Sequence, residues 1–395
     1  MIAKSVHPRR RVIGWAAALG VGAVAAASPV AFRGEAGPSP GPKPGHRPVT
    51  RVYYIAADTV TWDYARQCRN LVTGKPFTAM EERLVSQGGN LLGSVFEKAI
   101  YRQYTDKTFR KLVCRPKHEE YMGLLGPVIR AEVGDTIQVV FRNNTPFPAS
   151  IHPHGVFYTK ENEGAPGNNG SWGNDRLDRP VEPGETYVYT WPVPERAGPG
   201  PDDPSSVGWL YHDHSMDMGV PGMHAGMVGP IVISRRGQAR ADGSPAGVDR
   251  EVFALFNEFD EGLSSYRERN IERFGDEDLD ASSEAFWSAL RKPSVNGYMF
   301  ANGPEGTTDT HPALTIRKGE LTRWYSLTLG ERDVHSPHWH GNTVAVRGHR
   351  ADVVSVLPAT VVTADMRADD PGIWLFHCHV DRHMMNGMIT RYQVV

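Results

Sequence analysis

The run Phe376-His377-Cys378-His379-Val380-Asp381-Arg382-His383-Met384-Met385-Asn386-Gly387-Met388 gathers a thiol, imidazoles and thioethers near the C-terminal end of the sequence. In an extended strand successive side chains face opposite ways, so His377 and His379 leave one face and Cys378 the other. One tripeptide can therefore serve two sites. On the Cys378 side, one thiolate, two imidazoles and a weak thioether form the mixed soft and borderline set that suits copper cycling between its cuprous and cupric states. Cys378, His383 and Met388 supply that set together with His335 upstream. An isolated Cys-x-x-x-x-His would carry little weight; the flanking histidines and the later methionine give this one force.

Four His-x-His pairs carry the opposite face: His152 with His154, His212 with His214, His338 with His340, and His377 with His379. Each has strand spacing, so both rings of a pair can reach adjacent metal ions. One such pair is more often a surface or hydrogen-bonded pair than a ligand. Four pairs in repeat-related places are a different matter, because their imidazoles exceed what one tetrahedral zinc needs and suffice for three copper ions with open positions.

The elements that must position these residues read as short strands. Thr136–Phe141, Thr186–Trp191, Pro230–Ile233 and Thr322–Leu327 alternate apolar and polar residues between Gly, Pro, Asn and Asp punctuation. The fold class is therefore all-β, in two sandwich domains at 49–235 and 250–395, separated by the polar break 235–250. Residues 262–292 interrupt this pattern and read as a helical or irregular insertion. The halves repeat one another: 129–141 leads into Ile151-His152-Pro153-His154-Gly155 as 315–327 leads into Pro337-His338-Trp339-His340-Gly341, and Trp209–His214 matches Trp374–His379. Two copies of one sandwich follow from this repeat. Laying one copy on the other puts Asp213 opposite Cys378, Ala149 opposite His335 and Met218 opposite His383, so the first copy holds no blue copper site.

The motifs His152–Gly155, Tyr211–His214, His335–Gly341 and His377–Met388 resemble those of the multicopper oxidases, from about residue 50 to the C-terminus. Trp62–Ala65, 101–111, 125–143 and Ser294–Tyr298 are similar to the ceruloplasmin and hephaestin branch, while the two-domain layout resembles the two-domain bacterial oxidases and small laccases. The resemblance implies cupredoxin-like Greek-key domains and four coppers per chain. His335, Cys378, His383 and Met388 would hold type 1 copper, His152 and His338 type 2, and His154, His212, His214, His340, His377 and His379 the type 3 pair. It further implies a homotrimer with each trinuclear cluster at a contact between subunits. The implied reaction couples one-electron oxidation of a small reductant to four-electron reduction of dioxygen to water, with Cys378, His377 and His379 joining the two sites.

The reductant is less legible. Laccase-like oxidation of phenols or aromatic amines ranks first. Glu331, Asp333 and Asp381 would suit Fe(II), and Met216, Met218, Met223 and Met227 with His224 would suit Cu(I), so a ferroxidase or cuprous oxidase is the alternative. Simple solvated loop charges and a methionine-filled loop core are the plainer readings of those two groups. A copper nitrite reductase ranks below both, since Asp213 stands where that family carries its cysteine, and a non-catalytic copper carrier or scaffold is the remaining class.

A formal charge of −2 over 395 residues gives no broad electrostatic case for nucleic acid or an anionic membrane. Arg9–Arg11 before an apolar run ending in Ala25–Ser28 reads as a signal peptide at 1–27, with twin-arginine export as one route and a retained anchor as the other reading. A Pro/Gly-rich linker follows to residue 48. The expected location is secreted, periplasmic or cell-surface, with no membrane anchor after cleavage. Cys68 and Cys114 are the only pair left for a disulfide; two free thiols are the other reading.

Overall fold

The computed structural model describes residues 47–166, 179–330 and 333–395. The expected signal peptide, most of the linker and Glu331 lie outside these residues. Within them, alternation becomes layering. Thr136–Asn143 turns Ile137, Val139 and Phe141 inward and keeps the intervening positions half-buried, the two-residue period of a strand covered on one face.

Strands between Thr50 and Ser234 form two four-stranded sheets, beside the small hairpin of Gln87–Gly88 with Leu91–Leu92. One runs Val95–Tyr104, Thr50–Asp63, Thr136–Asn143, Thr186–Pro192; the other runs Ile129–Glu132, Val228–Ser234, Ser206–His212, His152–Pro153. Strands between Arg250 and Val394 repeat the plan. Their first sheet runs Arg291–Val295, Arg250–Asp260, Leu321–Leu327, Val361–Arg367, Val344–Val346, His349–Ala351, and their second Leu314–Ile316, Ile389–Val394, Gly372–Cys378, Pro337–Trp339. Each copy mixes parallel and antiparallel pairing in the same way: Thr50–Asp63 lies parallel to Thr136–Asn143 as Arg250–Asp260 does to Leu321–Leu327. These are the two copies of one sandwich expected from the repeat, with the cupredoxin-like plan that the family resemblance implies.

Each sandwich has its own apolar core, built around Phe141, Trp191 and Ile231 in the first and Trp324, Phe376 and Tyr392 in the second. A third cluster joins them, with Leu124, Val228 and Val232 packed among Phe253, Tyr325 and Leu327. Here the backbones approach closely. A methyl group on Gly208 would come within 2.7 Å of Tyr325 and Val361, and the Ser206 and Tyr325 hydroxyls lie 2.7 Å apart. Arg130 and Glu251 add an ion pair at 2.6 Å across the same seam.

The insertion at 262–292 contains helices Arg267–Phe274 and Glu284–Ala289, but it ends sooner than expected. Arg291 already pairs with Asp260, which makes Arg291–Val295 an edge strand. The ammonium of Lys292 is buried there against the carbonyls of Gly93 and Ala289, at 2.9 and 2.7 Å, and burial pulls its pKa down to about 7. Cys68 and Cys114 are both exposed free thiols, so the disulfide is not formed.

Charge also reaches the interior where sequence periodicity gives no warning. Lys98 is fully buried, bonds Glu261 and donates to the His224 carbonyl at 2.8 Å, while the Tyr64 hydroxyl donates to the same carboxylate at 2.6 Å. Removing one partner strands the other in a low-dielectric site. Glu261→Ala is therefore expected to lose about 3–5 kcal/mol of unfolding free energy in denaturant titration, whereas Lys98→Met with Glu261→Leu should cost far less. A single variant with unchanged stability would contradict this account.

Candidate metal centre

The strand Gly372–Cys378 runs between Pro337–Trp339 and Ile389–Val394, and this pairing delivers the residues singled out from the sequence. Pro337 lies opposite Cys378 and His338 opposite His377. The turn after the strand carries a short helix, Asp381–Met385, which returns His383 beneath Cys378. The Cys378 sulfur lies 3.6 Å from His335 Nδ1 and 3.5 Å from His383 Nδ1, and all three residues are buried. Metal bonds of about 2.3 Å to sulfur and about 2.0 Å to nitrogen at a tetrahedral angle separate the two donors by about 3.5 Å. The spacing thus fits one ion between them. The Ser336 amide points at the sulfur from 3.4 Å, and buried Met388 accepts the Cys378 N–H through its carbonyl at 3.1 Å, which places it beside the triad.

Histidines on the opposite face form two separate groups. In the first sandwich His152 pairs with His212 across adjacent strands, and His154 Nε2 lies 3.1 Å from His212 Nε2. The His214 ring stands 5.2 Å from that of His152. In the second sandwich His340 Nε2 lies 3.0 Å from His377 Nε2, and the His379 ring stands 5.3 Å from that of His338. Backbone carbonyls fix several tautomers: His152 Nδ1 donates to Glu163 O at 2.6 Å, His212 Nδ1 to Asp213 O at 2.7 Å, and His377 Nδ1 to Cys378 O at 2.9 Å. Each leaves Nε2 as a lone pair aimed at its neighbours. His338 Nδ1 is buried with no hydrogen-bond partner among the described residues, and the same ring lies in the group His338, His340 and His377 whose donor atoms are close enough to hold a cation. Among the described residues, no hydrogen bond or ring contact joins the first quartet to the second.

The glycine closing each His-x-His-Gly motif has a packing reason. Gly155 and Gly341 take positive φ of 77° and 69°, and a methyl group on either would lie within 2.2–2.3 Å of the Trp209 or Trp374 ring. Those indoles hold the histidine turns against the strands.

Asp213 occupies the place corresponding to Cys378. The Ser150 amide donates to its carboxylate at 2.7 Å, just as Ser336 points at the sulfur, and the Ser215 hydroxyl donates at 2.9 Å. Ala149 bridges Val181 where His335 bridges Val356. Met218, the counterpart of His383, is 74% exposed, so this site has no imidazole pair to offer a metal. The methionines of 214–227 do not act together either: Met227 belongs to the first core and Met223 packs on the shared one. His224 is structural, its Nδ1 accepting the Asp260 N–H at 3.0 Å.

Two residues of the rim were missed. Arg382 donates to Glu258 at 2.7 Å, bonds Asp333, and lies 3.1 Å from His383 Nε2; Asp333 lies 3.4 Å from the same nitrogen. Arg382 was visible beside His383. Glu258 sits far upstream on another strand, where no local signal could mark it. Asp381 is exposed. Asp352, 3.7 Å from His338, was also unforeseen.

Burial dominates the electrostatics. It pulls His212 down to about 3 and His154 and His335 to about 4, with neighbouring imidazoles pushing the first two the same way, and it lowers His152, His338, His377 and His383 as well. Neutral imidazoles with free lone pairs are what a cation requires. Burial acts oppositely on Asp213, pushing it up to about 6 against its serine hydrogen bonds.

This geometry of two linked sandwiches, a buried Cys-His-His triad and paired imidazole groups agrees with comparison to known proteins. The pattern defining the multicopper oxidase family matches residues 122–238 and again 284–395. The chain belongs to the multicopper oxidase family. It is 38% identical over 355 residues to human Ferroxidase HEPHL1, 35% over 353 to human Hephaestin and 36% over 354 to rat Ceruloplasmin. These alignments cover 87–88% of this chain but only 29–32% of those proteins. Among solved structures, a multicopper oxidase aligns with a TM-score of 0.54 at 18% identity over 88% of this chain and 89% of its own, and the multicopper oxidase mgLAC with 0.53 at 20% over 87% and 86%. At such identities they bear on the fold alone.

The lowered imidazoles set a pH dependence. An unfolded chain takes up protons near pH 6.5, before these buried rings do, so stability is full above that value and is lost as pH falls through the folded values near 3–4. Asp213 opposes this, since its raised pKa contributes stability below about pH 4 that is lost as pH rises through about 6. The histidines outnumber it. Thermal melts of the metal-free chain should therefore fall between about pH 7 and pH 4, and fall less steeply in a His154→Gln, His212→Gln variant. Melting temperatures that climb on acidification would refute the assignment.

Proposed function

We propose that this chain is one subunit of an oxidase that takes single electrons from a small reductant and delivers four of them to dioxygen, yielding water. The observation that carries this reading is the buried sulfur–imidazole triad at Cys378, whose sequence neighbours, His377 on the same strand and His379 just past its end, gather with His338 on the other side. Four coppers would supply the redox chemistry when bound: one held by His335, Cys378, His383 and Met388, one by His152 and His338, and a pair by His154, His212, His214, His340, His377 and His379.

The chain supplies the surroundings. Burial of His335, Cys378 and His383 keeps water from the electron-accepting site, and the Ser336 amide favours charge on the sulfur. The peptide links from Cys378 to His377 and His379 make a short covalent route between the sites. Carbonyls of Glu163, Asp213 and Cys378 orient three of the cluster imidazoles before any ligand arrives.

The quartets belong to different sandwiches and make no described contact within one chain, which supports a homotrimer whose clusters form where the first domain, 49–235, meets the second domain, 250–395, of a neighbouring subunit. An extracytoplasmic location, secreted, periplasmic or cell-surface, accompanies this reading. For the reductant, a phenol or other small aromatic is favoured by the cationic Arg382 at the His383 edge. Fe(II) is the second reading, favoured by the similarity to Ferroxidase HEPHL1 and by the carboxylates of Glu258 and Asp333.

Two outcomes test the assembly and the site. Copper-loaded chain should carry about four coppers with an intense thiolate absorption, and Cys378→Ser should abolish that absorption together with phenol-dependent oxygen uptake. A chain lacking His152 and His154 and a chain lacking His338 and His340, each inactive, should regain about a quarter of wild-type turnover when co-assembled, because random mixing rebuilds that share of interfaces between subunits. Absence of any rescue would count against an intersubunit cluster.

A further inference from the structure

The outward edge of His383 faces a guanidinium. His383 Nδ1 lies 3.5 Å from the Cys378 sulfur, and its other nitrogen lies 3.1 Å from an Arg382 amino group. That guanidinium bonds Glu258 at 2.7 Å on one side and Asp333 on the other. Two carboxylates flanking a histidine edge are a hard oxygen set of the kind that binds divalent metal ions. Here a protein cation lies between them. The Glu258 side chain is mostly covered, whereas Asp333 and Arg382 are 45% and 44% exposed, so an incoming donor meets the guanidinium at the surface. Exposed apolar side chains lie beside the triad histidines or their strand partner in the chain: Val334 precedes His335, Leu357 follows Val356, which bridges His335, and Met385 ends the short helix that carries His383.

We propose that Arg382 selects the reductant: its guanidinium takes the position between Glu258 and Asp333 that a divalent cation would take, turning the His383 edge away from metal ions and towards small aromatic donors. This inference rests on the oxidase reading above. A metal ion approaching within a few ångströms of the guanidinium meets like charge and finds both carboxylates already engaged. An aromatic ring meets a planar cation to stack on and an apolar rim to cover. Each phenol would leave as a phenoxyl radical and a proton after giving up one electron, and each Fe(II) as Fe(III). Four such electrons and four protons convert one dioxygen to two waters.

The test compares wild type with Arg382→Ala, Arg382→Lys and Glu258→Gln/Arg382→Ala, all copper-loaded. Equilibrium dialysis against Mn(II) reads metal binding without turnover, and anaerobic bleaching of the thiolate absorption by Fe(II) or by a phenol reads electron entry. Arg382→Ala should gain one Mn(II) site per chain, and its ratio of Fe(II) to phenol bleaching rates should rise about tenfold or more. Arg382→Lys should fall between, and adding Glu258→Gln should erase the gain. If Arg382→Ala keeps the absorption, binds no added Mn(II) and retains the wild-type ratio, the proposal is overturned. A wild type without thiolate absorption would instead overturn the oxidase reading, and dialysis would still decide the role of Arg382.

Discussion

The pleat of one strand constrains everything else in the molecule. Along Gly372–Cys378 the backbone must stay extended through its last residue, because only then do the Cys378 sulfur and the His377 ring leave opposite faces. Pairing with Pro337–Trp339 and Ile389–Val394 holds it there from both sides, and the register that sets His338 against His377 also sets Pro337 against Cys378. A slip of one residue would exchange the two faces and destroy both groups at once. The second core, with Trp324, Trp339 and Phe376 packed edge to face or tilted about one another, is what penalises such a slip.

The same sandwich appears twice with different chemistry. In the second copy, burial brings together a sulfur and two imidazoles; in the first, the corresponding interior position holds a carboxylate satisfied by Ser150 and Ser215. Both solutions obey the same rule, that a polar group taken out of water must find partners. The histidine quartets escape that rule only in part. Ring nitrogens of two pairs face each other at about hydrogen-bond distance, and His338 Nδ1 has no hydrogen-bond partner among the described residues, an arrangement that is costly alone and sensible around cations.

Much of this was legible from residue order. His-x-His spacing, the Cys378 to Met388 run and the internal repeat are local signals, and short-range periodicity reports them directly. The structure brings the triad His335, Cys378 and His383 together and gathers each quartet within its own sandwich. What stayed hidden depends on long-range contact. Glu258 reaches Arg382 from a strand of the other sheet, Glu163 orients His152 through its backbone carbonyl, and Lys98 on one strand forms a buried pair with Glu261 in the turn after another. The first two residues of the strand Arg291–Val295 fall inside the expected insertion because Arg291-Lys292 looks solvent-facing, while three carbonyls in the interior capture the lysine. The disulfide rests in sequence only on Cys68 and Cys114 being the pair left once Cys378 is assigned, and only the fold could show two exposed thiols that remain free.

The serine-locked Asp213 has a kinetic meaning in the oxidase proposed here. With Asp213 in place of a sulfur ligand, the described residues offer one doorway for reducing equivalents, so the four visits that one dioxygen demands would queue at the same patch of surface. Whatever covers that patch would silence such an oxidase, with no second entrance among the described residues to share the load.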